Sequence, residues 1–254
     1  MSNDNHNANN LLAHLRHELH VWTAAPADFA GSAVATDYHS ILSDGEKTQY
    51  LRFHFDKDRY HYLIAHLLVR YVLSQYVSIR PEAWCFSKGA KGKPAIDPAC
   101  CTLPLQFNLT HTDGLVACAV SWENAVGLDA ENIGRVKDPM QLATKIFTQE
   151  ERVLLGQLTG AAQDEYFCAL WVLKEAYVKA IGAGIGFGVE KLHFQLAPHQ
   201  CPKVQFIPSS LDQPTNWQFG LYRFTEQHQM AIAWQKGQQS AREIVFKEGF
   251  KNWV

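Results

Sequence analysis

The sequence predicts an α+β protein built from two similar α+β halves, and three observations carry that expectation. Setting Asp58 against Asp164 also places Tyr60 opposite Tyr166, Leu67 opposite Leu173, Tyr71 opposite Tyr177 and Val72 opposite Val178. Each of these helical segments is followed, much later, by a strand-like run ending in tryptophan, LVACAVSW at 115–122 and QMAIAW at 229–234. The chain has 254 residues, 47% of them apolar, which is enough for one large domain or two small packed ones. Self-similarity at a fixed offset marks a duplicated unit. The expected division is a disordered polar tail at 1–10, an N-terminal half at 11–124 and a C-terminal half at 125–254.

Residues 56–77 read as a helix that is apolar nearly all round, without breakers. Residues 86–98, FSKGAKGKPAIDP, are loop material. The β-branched and small apolar run at 115–122 predicts a strand, and 125–131 its partner in a β-hairpin turning at Glu123-Asn124. Thr148, followed by Glu150 and Glu151, predicts a helix N-terminus. The longest helix of the second half is expected over 162–181, stopped by Gly182.

Composition excludes several classes of function. A net charge of −2 with 19% charged residues gives no reason to expect nucleic acid as partner. No apolar stretch reaches the ~20 residues of a membrane helix, and residues 1–10 lack the apolar core of a signal peptide, so a cytoplasmic location is expected. The six cysteines form no C-x-x-C pair and predict no disulfide framework. His54, His61 and His66 do not share one helical face, which argues against a zinc site. GAGIGFG at 182–188 follows a helix and lacks the G-K-[ST] ending of a phosphate loop.

Four groups of residues are candidates for chemistry. Asp129 and Glu131 lie two apart on a predicted strand, so their carboxylates share a face, and a hard cation would relieve their repulsion. Glu175 and Lys179 share a face of an otherwise apolar helix, where a charge is costly without a metal or anion against it. Lys174 points elsewhere and is compatible with either a structural or a functional role. Thr110, His111 and Thr112 are placed in a turn closed by Asp113-Gly114, and Lys88, Lys91 and Lys93 in the loop upstream; both could contact a polyanion.

GKPAI at 92–96, FNLTH at 107–111, VGLDAE at 126–131 and WVLKEAYVK at 171–179 resemble, in order and spacing, the motifs of the Sfp-type 4′-phosphopantetheinyl transferases. Residues 43–74 are similar to that family's N-terminal helix segment. The resemblance implies two α+β halves related by a pseudo-twofold, with the site in the cleft between them. It implies Mg²⁺ on Asp129, Glu131 and Glu175, with Lys179 on the transferred phosphate. Thr110, His111 and Lys93 would contact coenzyme A, and Arg52 and Arg59 part of its 3′-phosphate site. The family usually has serine where Thr110 stands, and His61 falls nearest to a basic residue expected early in the N-terminal helix. The implied partner is an apo acyl or peptidyl carrier protein, whose serine attacks the β-phosphate of coenzyme A. Glu175, helped by Glu131, would be the base. Two fused halves would make a monomer sufficient. The competing expectations are a magnesium-dependent phosphohydrolase using the same carboxylates, and a homologue that binds carrier proteins without transferring anything.

Overall fold

The computed structural model describes residues 10–30, 41–237 and 243–248. The predicted tail at 1–10 lies, apart from Asn10, outside the described residues. The chain contributes β1 (Glu18–Ala24), α1 (Asp44–Arg52), α2 (Asp56–Ser74), β2 (Phe86–Lys88), β3 (Pro94–Ile96), β4 (Leu105–Thr112) and β5 (Leu115–Trp122). There follow β6 (Val126–Asn132), α3 (Pro139–Ile146), α4 (Gln149–Gly156), α5 (Ala161–Ile181), β7 (Leu192–Gln195), β8 (Lys203–Phe206), β9 (Trp217–Arg223), β10 (His228–Gln235) and β11 (Glu243–Lys247). Helices and sheets fall into two compact units, which makes the protein α+β.

The first unit is a sheet in the order β11-β1-β5-β4 with α2 packed on β5 and β4. Leu63, Ile64, Leu67, Leu68 and Val72 line the buried face of α2, and Val116, Cys118 and Val120 of β5 join the same core. Each such aliphatic side chain removed from water contributes about 1.5–3 kcal/mol. Ser43 caps α1 through a capping box with Glu46, whose carboxylate then takes His66 Nδ1 at 2.8 Å and Arg70 Nη2 at 2.6 Å from α2. One glutamate therefore ends a helix and ties it to its neighbour.

The second unit repeats this plan. Its sheet runs β6-β10-β9, and α5 packs on β6 and β10. Thr148 caps α4 through a capping box with Glu151, whose carboxylate reaches Lys174 Nζ of α5 at 2.8 Å and Phe194 N of β7 at 2.8 Å. A two-stranded hairpin accompanies each sheet, β2–β3 in the first and β7–β8 in the second.

The sequence expectation fails at three points. β5 and β6 do not form a hairpin: β5 pairs with β4 on one edge and β1 on the other, so neither edge is open, and β6 pairs with β10. Thr110 and His111 lie in strand β4 rather than in a turn, with the turn beginning only at Asp113 and Gly114 (φ 82°). The simple split near residue 124 also differs from the observed units. β11 pairs in parallel with β1 and belongs to the first, whereas Gly89–Lys93 belong to the second.

Candidate active site

Gly127 sets the geometry of the second unit. A Cβ there would stand 1.9 Å from the carbonyl oxygen of Ala176 and 2.4 Å from Ala180 N, so only glycine lets α5 lie this close on β6. Lys93 holds the same junction, its ammonium donating to Val126 O at 3.0 Å and Ala180 O at 2.8 Å. Burial pulls the Lys93 ammonium down to about 8. Lys93, expected from the resemblance to contact coenzyme A, here spans the start of β6 and the last turn of α5.

With helix and strand so close, Asp129 and Glu175 come under one another's influence. Asp129 is buried, and its Oδ1 accepts from Lys179 Nζ at 2.6 Å. The Glu175 carboxyl is raised above its ordinary value, first by burial and then by the charge of Asp129, with Lys179 pulling it down. Glu131 stands two residues along β6 from Asp129, accepts Asn132 N at 2.9 Å and pairs with Arg135, whose side chain is 66% exposed. An ion pair so open to water holds the carboxylate weakly. Cys168 lies over the acids, its thiol pushed up to about 12 by burial and then by the charges of Glu131, Asp129 and Asp164. A cavity of about 240 Å³ opens beside Glu131, walled by Arg135, Leu142, Phe167, Cys168 and Trp171.

The donor set suits a hard divalent cation. Oxygen ligands from Asp and Glu are what Mg²⁺ takes. Negative charge is in excess there, since Asp129 raises both Glu175 and the neighbouring thiol. Among the described residues, no group of three or more His, Cys, Asp or Glu side chains is gathered tightly enough to hold a metal by itself. Lys179 sits against Asp129, and Glu131 turns to Arg135.

Two family models divide the chain much as the two units do. The 4′-phosphopantetheinyl transferase N-terminal model matches residues 22–123, and the 4′-phosphopantetheinyl transferase superfamily model matches residues 125–233. The 4′-phosphopantetheinyl transferase HetI of a Nostoc species is 31% identical over 195 residues, covering 77% of this chain and 81% of the relative. The chain belongs to the 4′-phosphopantetheinyl transferase family. The 4′-phosphopantetheinyl transferase gsp of Aneurinibacillus migulanus is 34% identical over 146 residues, covering 58% of each chain. A holo-(acyl-carrier-protein) synthase structure from Bacillus anthracis, in complex with CoA (3′,5′-ADP), matches at 20% identity and a TM-score of 0.37. That match covers 44% of this chain and 94% of that one, a likeness too slight to argue from.

As a phosphopantetheinyl transferase, the enzyme keeps Asp129, Glu131, Glu175 and Lys179 in one unit, inside the superfamily match. Arg52, Arg59, Thr110 and His111 belong to the other unit. Arg52 ends α1 and is exposed. Arg59 is occupied, donating to Asp56 Oδ1 and to Phe53 O, each at 2.8 Å. Thr110 is buried and His111 exposed, as alternation along β4 requires. Lys174, whose role the sequence left open, is fully buried against Glu151 and donates to Val189 O and Leu192 O. Its role is to lock α5 to its neighbours. The capping pattern of Thr148 and Glu151 was legible, but Lys174 as its partner was not. Among the described residues no helix is long and apolar enough to cross a membrane.

Proposed function

We propose that this transferase moves the 4′-phosphopantetheine group of coenzyme A onto a serine of an apo acyl or peptidyl carrier protein, releasing adenosine 3′,5′-bisphosphate. One observation carries the reading: the Asp129–Lys179 pair lies against the raised carboxyl of Glu175, on the helix and strand that hold the motifs VGLDAE and WVLKEAYVK. Asp129, Glu131 and Glu175 are the residues that would hold Mg²⁺. Once bound, Mg²⁺ supplies positive charge against the pyrophosphate oxygens.

The chain's own groups do the rest. Lys179 exchanges part of its contact with Asp129 for the transferred phosphate, adding a cation where negative charge builds. Glu175 takes the proton of the attacking serine hydroxyl. A carboxylate raised by burial and by a neighbouring charge is a stronger base than a free one. Glu131 flanks Asp129 on the same strand face and leaves its exposed arginine partner readily. Thr110 and His111 contact the nucleotide phosphates, with Arg52 and Arg59 toward the 3′-phosphate. A cytoplasmic monomer suffices for this chemistry.

The test is the mass of an apo carrier protein incubated with the enzyme, Mg²⁺ and coenzyme A. The expected result is a gain of one phosphopantetheine unit, lost when EDTA is added. No gain across several acyl and peptidyl carrier proteins would overturn the reading. Release of nucleotide without any acceptor would point to a phosphohydrolase.

A further inference from the structure

Three cysteines of the first unit take no part in the site: Cys85 just before β2, and Cys100 and Cys101 just after β3. The β2–β3 pairing continues past its last ladder pair, Phe86 and Ile96, because Asp97 N donates to Cys85 O at 3.0 Å. Asp97 then folds the chain back. Its carbonyl accepts Cys100 N at 2.8 Å and Cys101 N at 3.1 Å, and its Oδ1 accepts Ala99 N at 2.9 Å. As a result two thiols point at a single atom. Cys85 Sγ lies 3.8 Å from Ala83 O, and Cys100 Sγ lies 3.4 Å from the same oxygen. Cys85 is exposed and Cys100 partly so, within reach of a small reagent. Cys118 and Cys168 differ: both are buried, and burial holds both thiols well above their ordinary range.

We propose that Cys85 and Cys100 are a redox-active pair that a low-molecular-weight disulfide converts into an intramolecular disulfide across the foot of the β2–β3 hairpin. The thiolate of Cys85, the more exposed, attacks one sulfur of the reagent and expels one thiol, leaving a mixed disulfide. Cys100 loses its proton, and its sulfur attacks Cys85 Sγ and expels the second thiol. Two electrons pass from the protein to the reagent, and the protein loses two hydrogens. The backbone turn has already brought both sulfurs to one oxygen, which places them on the same side of the hairpin foot. The ring so closed contains the hairpin whose tip leads to Lys93.

Intact protein is treated with oxidised glutathione, the remaining thiols are alkylated, and mass and peptide maps are read. The expected result is loss of two hydrogens, a peptide containing Cys85 joined to one containing Cys100, and full reversal by dithiothreitol. Cys85→Ser and Cys100→Ser each lose the cross-link and keep a glutathione adduct on the remaining thiol, whereas Cys101→Ser behaves as wild type. Stable glutathione adducts on both Cys85 and Cys100 of the wild-type protein would overturn the proposal, as would a cross-link to Cys101 in place of Cys100.

Discussion

The two units follow one plan and differ where chemistry would sit. The strand residues that share a core with the long helix are Val116, Cys118 and Val120 of β5 in the first unit, and Ala231 and Ala233 of β10 in the second. Beside them on the neighbouring strand stand Trp22 and Ala24 in the first unit, paired with Cys118 and Val116, but Gly127 and Asp129 in the second, paired with Ala233 and Ala231. On the long helices, the alignment of Asp58 with Asp164 sets Val69 and Leu73 of α2 against Glu175 and Lys179 of α5. Val69 and Leu73 are buried core residues. The helix-facing strand residues and these helix positions therefore build an apolar core in one unit and a charged site in the other. Charges at helix positions that the first unit fills with aliphatic core residues call for a functional explanation.

The largest contrast concerns those equivalent positions. Glu175→Gln is expected to lower phosphopantetheine transfer by about 10³-fold with the fold intact, since it removes charge at the reacting centre. Val69→Ala is expected to keep turnover within a few-fold while losing about 2 kcal/mol of stability through lost packing. Transfer rates and denaturant midpoints of the two variants check this directly. Equal effects on rate would erase the distinction between the units.

Next come the two capping glutamates. Glu151 and Lys174 are both fully buried, so Glu151→Gln leaves a buried charge unpaired and is expected to cost about 3–5 kcal/mol. Glu46 is less enclosed, with a side chain 13% exposed, and Glu46→Gln is expected to cost about half as much. Urea unfolding of both variants sharpens or breaks that ranking. Gly127→Ala follows at about 3 kcal/mol, since the added methyl meets backbone that cannot swing aside.

The smallest effect is one of pH and belongs to the first unit. His20 is fully buried between Tyr76 and Glu18, and burial lowers it to about 4 against the opposing pull of Glu18. Below its unfolded value near 6.5 the unfolded chain takes up a proton that the folded one refuses, so stability falls with pH between 6.5 and 4. The expected loss is about 2 kcal/mol from pH 7 to pH 5, and His20→Gln should remove most of that slope. Glu46 acts lower on the scale. Burial alone would raise it, but the His66 hydrogen bond and the Arg70 charge hold it at about 2, so its stabilising share is lost as pH falls from 4.5 to 2.

Much of this was legible in the residues. Strand and helix periodicity located β5, α2 and α5, and D-x-E on a strand beside K-E-x-x-x-K on a buried helix marked the acids. Partner choice was not legible, because apolar alternation says that a strand is buried but not which edge is taken; β5 and β6 were misread as a hairpin for that reason. Long-range polar pairings escaped as well. Lys93 is satisfied by carbonyls of Val126 and Ala180, and Lys174 by Glu151, contacts set by how α5 lies on β6 rather than by any local spacing.

The central claim is that the second unit's carboxylates hold a divalent cation that the first unit's matching residues do not support. Equilibrium binding of Mn²⁺, followed by paramagnetic resonance in the presence of coenzyme A, tests it without reliance on turnover. The wild-type protein and Val69→Ala should bind one ion alike, and Asp129→Asn and Glu175→Gln should each weaken binding by at least about tenfold. Unchanged Mn²⁺ affinity in both folded carboxylate variants would contradict the account.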